Sequence, residues 1–210
     1  MAMDKELARL RDVLGGDEGT VGRNGIVARK CGIGKVNAAL GTADMIIEHK
    51  PDVVVSTGVA GGAASWLNIG DVVVGDECRY HDVYCGSECR YGQVIGMPEA
   101  FTAPRELVDK ALNLHAGTPV HAGLIVTGDC FVDSPAKMRD ILSRFPQAAA
   151  VDMESCSIAQ TCYIYNTPFI SFRIISDIPL SDDNTSQYFD FWEHAADNSF
   201  DITKAFLASI

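Results

Sequence analysis

The chain has 210 residues, of which 47% are hydrophobic and 21% charged, a composition typical of one compact domain with a buried core. A formal net charge of −11 without any Lys/Arg-rich run would repel a phosphate backbone, so we expect no nucleic-acid partner. The apolar stretches are too short and interrupted to span a bilayer, and the N-terminus lacks the apolar segment of a signal peptide. We therefore expect a cytoplasmic protein without membrane contact.

Short β-rich runs alternate along the chain with longer stretches whose apolar residues recur at helical spacing. A helical pattern opens the chain at 3–14. Strands are predicted at 26–31, 52–57, 71–76, 124–127, 148–152 and 169–176. Helices are predicted at 35–50, 104–115, 134–145, 154–166 and 186–207. The segment 80–100 has no clear periodicity and is predicted as a long loop. This alternation predicts an α/β fold in which helices cover a central sheet.

No linker or internal repeat divides the sequence, so residues 1–210 are expected to form a single domain. A sheet of this kind is usually entered by a strand, whereas this chain opens in a helical pattern and its glycine-rich stretch 15–25 is short. The first strand is therefore expected to be absent or truncated in this chain.

The cysteines are scattered through apolar runs and are odd in number, seven in all, which indicates reduced thiols rather than a disulfide framework. Cys85 and Cys89 form a close pair, as do Cys156 and Cys162, but only His81 stands near the first as a further ligand. Because a metal centre needs more ligands at suitable spacing, we predict no metal.

Two glycine-rich turns follow predicted strands, CGIGK at 31–35 and STGVAGG at 56–62. The first fails as a dinucleotide fingerprint because Asn37 replaces the third glycine. It also fails as a Walker loop, which would need glycine at Arg29 and a hydroxyl residue at Val36. Each turn alone indicates only a sharp bend between a strand and a helix. The second turn is the better candidate for close approach of a ligand.

Two acidic residues, Glu154 and Asp177, each stand at the end of an apolar strand, one helix-plus-strand unit apart. Adjacent strand ends would place both carboxylates in one crevice, where burial and mutual charge push their pKa values apart. The alternative is a purely structural pair, with Glu154 stabilising a helix N-terminus and Asp177 a turn. The acidic pattern alone leaves both interpretations open.

Several ordered motifs together carry a family resemblance. They are CGIGK, STGVAGG, GDVVVGDECRYHD at 70–82, TGDCF at 127–131, VDMES at 151–155 and RIISD at 173–177, with Ala2, Met3 and Glu6 at the start. On these motifs the chain resembles the methylthioadenosine/S-adenosylhomocysteine nucleosidases of the purine nucleoside phosphorylase superfamily. The resemblance implies a three-layer α/β/α sandwich with a twisted mixed central sheet. It also implies a homodimer that hydrolyses the N-glycosidic bond of adenine thionucleosides without metal or cofactor.

The resemblance also implies roles for individual residues. Glu154 would accept hydrogen bonds from the ribose hydroxyls, with Met153 packed against the sugar. Asp177, supported by Ser176, would protonate adenine N7. Glu6 would orient and deprotonate the attacking water.

The remaining implied residues surround these groups. Arg173 would lie close to the water, and Phe131 and Val132 would contact the purine. Ile33 and Tyr188 would line the pocket for the 5' substituent, completed by Pro98 from a partner subunit. Three further residues are expected at the substrate, namely Ala60, Gly61 and Asp152.

The implied chemistry suits glycoside cleavage, in which the sugar gains positive charge while the departing base gains negative charge. An ionised Glu154 and a protonated Asp177 would serve these two ends. The sequence departs from the family pattern at Val59, at Asp152 in place of the usual glutamate, and in a shorter, cysteine-bearing loop after His81.

Three alternatives stay open. A phosphorylase would need cationic side chains beside the glycosidic carbon, whereas the STGVAGG turn is apolar. Hydrolysis of aminodeoxyfutalosine would use the same catalytic residues with a different 5' pocket. A non-catalytic purine-binding protein would not require the three carboxylates.

Overall fold

The computed structural model describes residues 1–114, 117–194 and 200–210. Its helices are α1 (Asp4–Leu14), α2 (Lys35–His49), α3 (Arg105–Leu112), α4 (Pro135–Arg144), α5 (Ser155–Ile164), α6 (Asn184–His194) and α7 (Asp201–Ser209). Its strands are β1 (Glu18–Val21), β2 (Asn24–Val27), β3 (Val54–Gly62), β4 (Val72–Tyr80), β5 (Phe101–Thr102), β6 (Val120–Thr127), β7 (Ala148–Asp152) and β8 (Phe169–Asp177). Within the described ranges, no helix is long and apolar enough to cross a membrane.

Six strands form one mixed sheet in the order β5-β4-β6-β7-β3-β8. Strands β4, β6 and β7 are parallel to one another, and β3 is parallel to β8. An antiparallel pairing between β4 and β8 joins the last strand of this order to the second, so the sheet closes on itself and leaves the short strand β5 at its edge. Every residue of β8 is buried, which explains why apolar residues occupy successive positions, as at 169–170 and 174–175, rather than alternate ones.

Helices pack on the sheet through separate apolar clusters. Helices α2 and α5 share a core with the sheet through residues such as Ile46 and Cys156. Helices α3, α6 and α7 cover a different part of the sheet through residues such as Val108, Phe191 and Phe206. The predicted α/β fold with a mixed central sheet flanked by helices is confirmed.

The predicted element bounds hold best where apolar runs are long. Strand β7 has its predicted bounds, and β6 and β8 extend the predicted strands. Strands β3 and β4 begin two residues and one residue later than predicted and run further toward the C-terminus. The predicted strand at 26–31 is wrong in extent and place, because β2 ends at Val27 and pairs with β1 in a separate hairpin. The side-chain amide of Asn24 fixes this hairpin to the end of α7 by donating to the backbone oxygens of Leu207 and Ile210. The helix predicted at 186–207 is two helices, and its part at 195–199 lies outside the described residues, as does residue 115 of the helix predicted at 104–115.

The expected adjacency of the strands that carry Glu154 and Asp177 is also wrong. Strand β3 lies between β7 and β8, parallel to β8 along most of its length and antiparallel to β7 only at Gly61 and Gly62. A register shift between Ala60 and Gly61 lies where β3 gains β7 as a second neighbour, because Gly61 pairs both with Asp177 of β8 and with Val151 of β7. The glycine-rich end of β3 therefore connects the two strand ends, and the acidic residues meet across it.

Candidate active site

A pocket opens where the ends of β3, β7 and β8 meet the start of α1. It is lined by Ala2, Met3, Glu6, Ile33, Val59, Ala60, Gly61, Cys130, Phe131, Val132, Val151, Asp152, Met153, Glu154, Ser176, Asp177, Pro179 and Tyr188. This set contains every residue predicted for the site from the sequence except Arg173 and Pro98. The sequence prediction gave no role in the site to Cys130, Val151 or Pro179, although the first two stand within the TGDCF and VDMES motifs.

Glu154 lies between β7 and α5, with 8% of its surface exposed. One carboxylate oxygen, Oε1, accepts a hydrogen bond from the backbone N–H of Gly34 at 2.9 Å. Burial, followed by the negative charge of Asp152, raises the pKa of Glu154 to about 7, while Arg173 and the Gly34 N–H oppose the rise. This environment favours the neutral form of Glu154 more than water would.

Asp177 is the second buried carboxyl group and ends β8. Its Oδ1 accepts from the Ser176 hydroxyl at 2.7 Å, and its Oδ2 from the side-chain amide of Asn184 at 3.5 Å. Burial raises the pKa of Asp177, and these two hydrogen bonds oppose the rise. Asn184 also donates to the backbone oxygen of Val132, so it links the acid to the wall of the pocket. No sequence pattern singled out Asn184.

Glu6 is the third carboxyl group and is also buried, in the first turn of α1. Its Oε2 accepts from the backbone N–H groups of Ala2 and Met3, both at 2.9 Å, and its Oε1 accepts from the N–H of Val59 at 3.1 Å. Three backbone donors therefore fix this carboxylate between the chain start and β3.

Arg173 lies behind the pocket rather than in its wall. Its Nε donates to Asp152 Oδ2 at 2.6 Å and its Nη2 to the Ser56 hydroxyl at 2.9 Å. A Cβ placed on Gly58 would lie 3.1 Å from Arg173 Nη1 and 2.5 Å from Glu6 Oε1. Arg173 and Glu6 thus approach the same glycine, and the arginine charge lies next to the predicted water-activating group.

Asp152 occupies the floor of the pocket and organises the start of α5. Besides the Arg173 guanidinium, its carboxylate accepts from the Thr127 hydroxyl and from the backbone N–H groups of Glu154 and Ser155. Its oxygens are therefore largely occupied by protein donors, and its contacts within the protein orient Glu154.

An apolar wall faces the carboxylates. The rings of Phe131 and Tyr188 meet edge to face with centroids 5.5 Å apart, and Phe131 is 46% exposed. The Tyr188 hydroxyl contacts Met3 Sδ at 3.7 Å, and Ile33 is half exposed at the rim. Such a wall suits a flat aromatic base and an apolar substituent. Pro98 lies on the 81–100 segment and does not line this pocket. No group of three or more His, Cys, Asp or Glu residues in the described part of the chain could hold a metal ion.

Comparison with known proteins defines the class to which this chain belongs. Residues 18–208 match the phosphorylase superfamily. The 5'-methylthioadenosine/S-adenosylhomocysteine nucleosidase of an Exiguobacterium species is 45% identical over 192 residues, which cover 90% of this chain and 82% of that protein.

Solved structures give the same result. The 5'-methylthioadenosine/S-adenosylhomocysteine nucleosidase of Neisseria meningitidis in complex with methylthio-immucillin-A superposes with a TM-score of 0.92 at 35% identity, over 100% of this chain and 96% of that one. A futalosine hydrolase mutant of Helicobacter pylori superposes with a TM-score of 0.90 at 25% identity, over 100% of this chain and 96% of that one. The chain belongs to the phosphorylase superfamily and, within it, to the 5'-methylthioadenosine/S-adenosylhomocysteine nucleosidases.

Proposed function

We propose that this chain hydrolyses the N-glycosidic bond of 5'-methylthioadenosine and S-adenosylhomocysteine, releasing adenine and the thioribose product. The observation that carries the proposal is the convergence of three buried carboxyl groups, Glu6, Glu154 and Asp177, on one pocket with an aromatic wall. The names of the related nucleosidases support the same reaction.

The acid in this proposal is Asp177, which would protonate adenine N7. Burial raises the pKa of this carboxyl group, the direction that favours its protonated form. Protonation of the base makes it a better leaving group, and general acid catalysis of this kind contributes about a hundredfold to ten-thousandfold. The Ser176 and Asn184 side chains orient the carboxyl group from opposite oxygens. Phe131 would stack on the base, and Val132 would contact its edge.

The charge on the sugar would be stabilised by Glu154, which binds the ribose hydroxyls beside Met153. In the unliganded pocket the pKa of Glu154 is about 7. The developing positive charge of the ribose favours the ionised form, because an opposite charge at short range lowers the pKa of a carboxyl group. Glu154 would thus become fully charged as the bond breaks, when its charge is most useful.

The nucleophile would be a water molecule held by Glu6 next to Arg173. No Lys or Arg is among the residues that line the pocket. Arg173, beside this position, is already paired with Asp152, and the Glu6 carboxylate would repel a phosphate ion. The phosphate charge would therefore be left uncompensated, which is costly in a buried site. This argument favours hydrolysis over phosphorolysis.

The 5' substituent would lie against Ile33 and Tyr188, whose apolar surfaces suit the thioether sulfur that methylthioadenosine and S-adenosylhomocysteine share. Within the substrate contacts we include Ala60, Gly61 and Asp152, which line the same pocket. Cleavage of methylthioadenosine is a step of methionine salvage, and we propose this role in the cytoplasm.

We also propose a homodimer. Val36, Leu40 and Ile47 expose between 61% and 69% of their surfaces along α2, and Ile33, which lines the pocket just before this helix, exposes 52%. An apolar patch of this kind suits an interface, and twofold pairing is the commonest arrangement. Pro98 from the partner would then complete the 5' pocket. Sedimentation tests this: a fully active monomer at nanomolar concentration would contradict a shared site.

The reaction is tested by incubating the purified protein with methylthioadenosine in phosphate-free buffer. We expect free adenine and methylthioribose in equal amounts, with no stimulation by added phosphate. A requirement for phosphate with formation of a sugar 1-phosphate would favour the phosphorylase alternative. Faster turnover of aminodeoxyfutalosine in competition would reassign the substrate, and binding of adenine nucleosides without turnover would indicate a sensor.

A further inference from the structure

Three charged residues from separate motifs meet beside the pocket without lining it: Lys35, Asp82 and Asp129. Lys35 Nζ donates to both carboxylate oxygens of Asp82, at 2.9 and 2.8 Å. The backbone N–H of Lys35 donates to Asp129 Oδ1 at 2.7 Å, and that of Asp129 donates to Asp82 Oδ2 at 2.8 Å. We name this group the Lys35 cluster. It connects the CGIGK turn, the end of the GDVVVGDECRYHD motif and the TGDCF turn.

The cluster lies next to the donor that holds Glu154. Gly34, whose N–H donates to Glu154 Oε1, directly precedes Lys35 at the start of α2. Gly34 has φ +88, and a Cβ there would lie 3.0 Å from Asp129 Oδ1. A left-handed backbone and a missing side chain therefore allow the Asp129 carboxylate to approach the turn. Asp129 accepts from the N–H of Lys35, the next donor along the chain. The carboxylates of Glu154 and Asp129 therefore accept from two successive backbone N–H groups at this turn.

Stability alone does not account for this arrangement. The side chains of Lys35, Asp82 and Asp129 keep 24%, 28% and 46% of their surfaces exposed. Ion pairs with this exposure contribute little to folding free energy. Their hydrogen bonds nevertheless fix the position of the backbone directly after Gly34, at Lys35. Hydrogen bonds to a charged acceptor are shorter and stronger than those between neutral groups, which suits this purpose.

We propose that the Lys35 cluster is a positioning device that holds the Gly34 N–H against Glu154 and so fixes the carboxylate that binds the ribose. This role rests on the proposed nucleosidase function for its kinetic consequence, but the geometry of Glu154 and Gly34 is independent of any substrate. Lys35, Asp82 and Asp129 are positioning residues, because they act on Glu154 through the backbone.

The test compares two variants with opposite changes in charge, Lys35→Met and Asp82→Asn. The other charged or titratable groups that act on Glu154 are Asp152, Arg173, Glu6 and Cys31, and none is altered. If the cluster positions the Gly34 N–H, both variants weaken a hydrogen bond that favours ionised Glu154. Both should then raise the pKa of Glu154 by about one unit and lower kcat/KM about tenfold on the acid side of the pH profile.

Direct electrostatics predicts a different pattern. Loss of the Lys35 charge would raise the pKa of Glu154, whereas loss of the Asp82 charge would lower it. Shifts of opposite sign would therefore overturn the positioning role, as would pH profiles identical to that of the wild type. Lys35→Arg retains a donor to Asp82 and should restore most of the wild-type profile.

Two further variants complete the test: one controls for loss of a positive charge elsewhere, and one replaces Lys35→Met if that variant does not fold. Arg105→Met removes one positive charge from the exposed pair with Asp109 on α3 and should leave the profile unchanged. Asp129→Asn keeps the shape of the side chain and should shift the profile in the same direction as Lys35→Met, so it replaces that variant if Lys35→Met does not fold.

The titration of Glu154 is also measured directly by carbon NMR of glutamate-labelled protein, with Glu154→Gln assigning its signal. This readout needs no turnover. If the wild type released no adenine, the proposed function would fail, while an upward shift of the Glu154 titration in both variants would still support the cluster. An active wild type whose Glu154 titration is unmoved in every variant would refute the cluster alone.

Discussion

Arg173 donates from Nε to Asp152 Oδ2 across 2.6 Å, and neither side chain exposes more than 3% of its surface. This ion pair lies beneath the pocket, and the same aspartate accepts from the backbone N–H groups of Glu154 and Ser155. The pair therefore connects the middle of β8 to the start of α5. A buried pair of this kind is costly to break, because removal of one partner leaves the other charge uncompensated.

We expect Asp152→Asn to reduce the free energy of unfolding by about 3–5 kcal/mol, the usual cost of an unpaired buried charge. Urea unfolding followed by circular dichroism measures the loss. In the double variant with Arg173→Met no charge is left unpaired, so the combined loss should be smaller than the sum of the single losses. Additive losses would show that the two residues contribute independently.

The two strand-end carboxyl groups should fail in different ways when altered. Asp177→Asn keeps the size of the side chain but removes the transferable proton, so turnover should collapse while adenine nucleosides still bind. Glu154→Gln should weaken affinity as well as rate, because it removes charge stabilisation of the ribose. Steady-state kinetics and calorimetric binding measure both.

A substrate analogue whose leaving group needs no protonation provides the control for this pair. It should largely restore turnover by Asp177→Asn and leave Glu154→Gln impaired. Equal rescue of the two variants, or no rescue of Asp177→Asn, would show that the acid and the ribose ligand have been assigned wrongly.

Gly58 should be essential because of the space that it leaves for Glu6. In Gly58→Ala the new Cβ would lie 2.5 Å from Glu6 Oε1, so the carboxylate must move away from the Val59 N–H. We expect kcat to fall by at least about tenfold and stability by about 1–3 kcal/mol, the range for overpacking. Gly19→Ala is the matched control, since a Cβ there meets nothing within 4 Å. Wild-type kcat in Gly58→Ala would argue against a role for Glu6 in positioning water.

The sequence predicted this site as far as local signals extend. The ends of β7 and β8 were visible as apolar runs that stop at Glu154 and Asp177, since a strand buried on both faces leaves a continuous apolar signature. The placement of β3 between them was not visible. It depends on the pairing of Gly61 with strands on both sides, β7 and β8, a tertiary pairing that no local pattern encodes.

The contacts of Asn184 and of the Lys35 cluster could not be predicted from the sequence either. Asn184 reaches Asp177 from the first residue of α6, where an amide looks like any polar residue at a helix start. Lys35, Asp82 and Asp129 stand in recognisable motifs, yet their mutual contacts span up to 94 positions in the chain. Long-range side-chain contacts of this kind follow from the fold and cannot be found from spacing.

The raised pKa of Glu154 implies that this carboxylate destabilises the folded protein at neutral and alkaline pH. The ordinary pKa of the group is 4.5 and the folded protein raises it to about 7, so the folded state binds the proton more tightly than the unfolded state. The stability that this group contributes is fully present below about pH 4.5 and is lost as the pH rises through 7.

Glu154→Gln cannot lose a proton, so its stability relative to the wild type should increase by about 2–3 kcal/mol between pH 5 and pH 8. That gain corresponds to roughly 5–10 °C in melting temperature for a chain of this length. Calorimetry at the two pH values measures it, with Glu106→Gln on the exposed side of α3 as the control that should follow the wild type. If the difference in stability between Glu154→Gln and the wild type stayed constant across this range, the environment of Glu154 would not disfavour its charge. The acid side of the activity profile could then no longer be assigned to this residue.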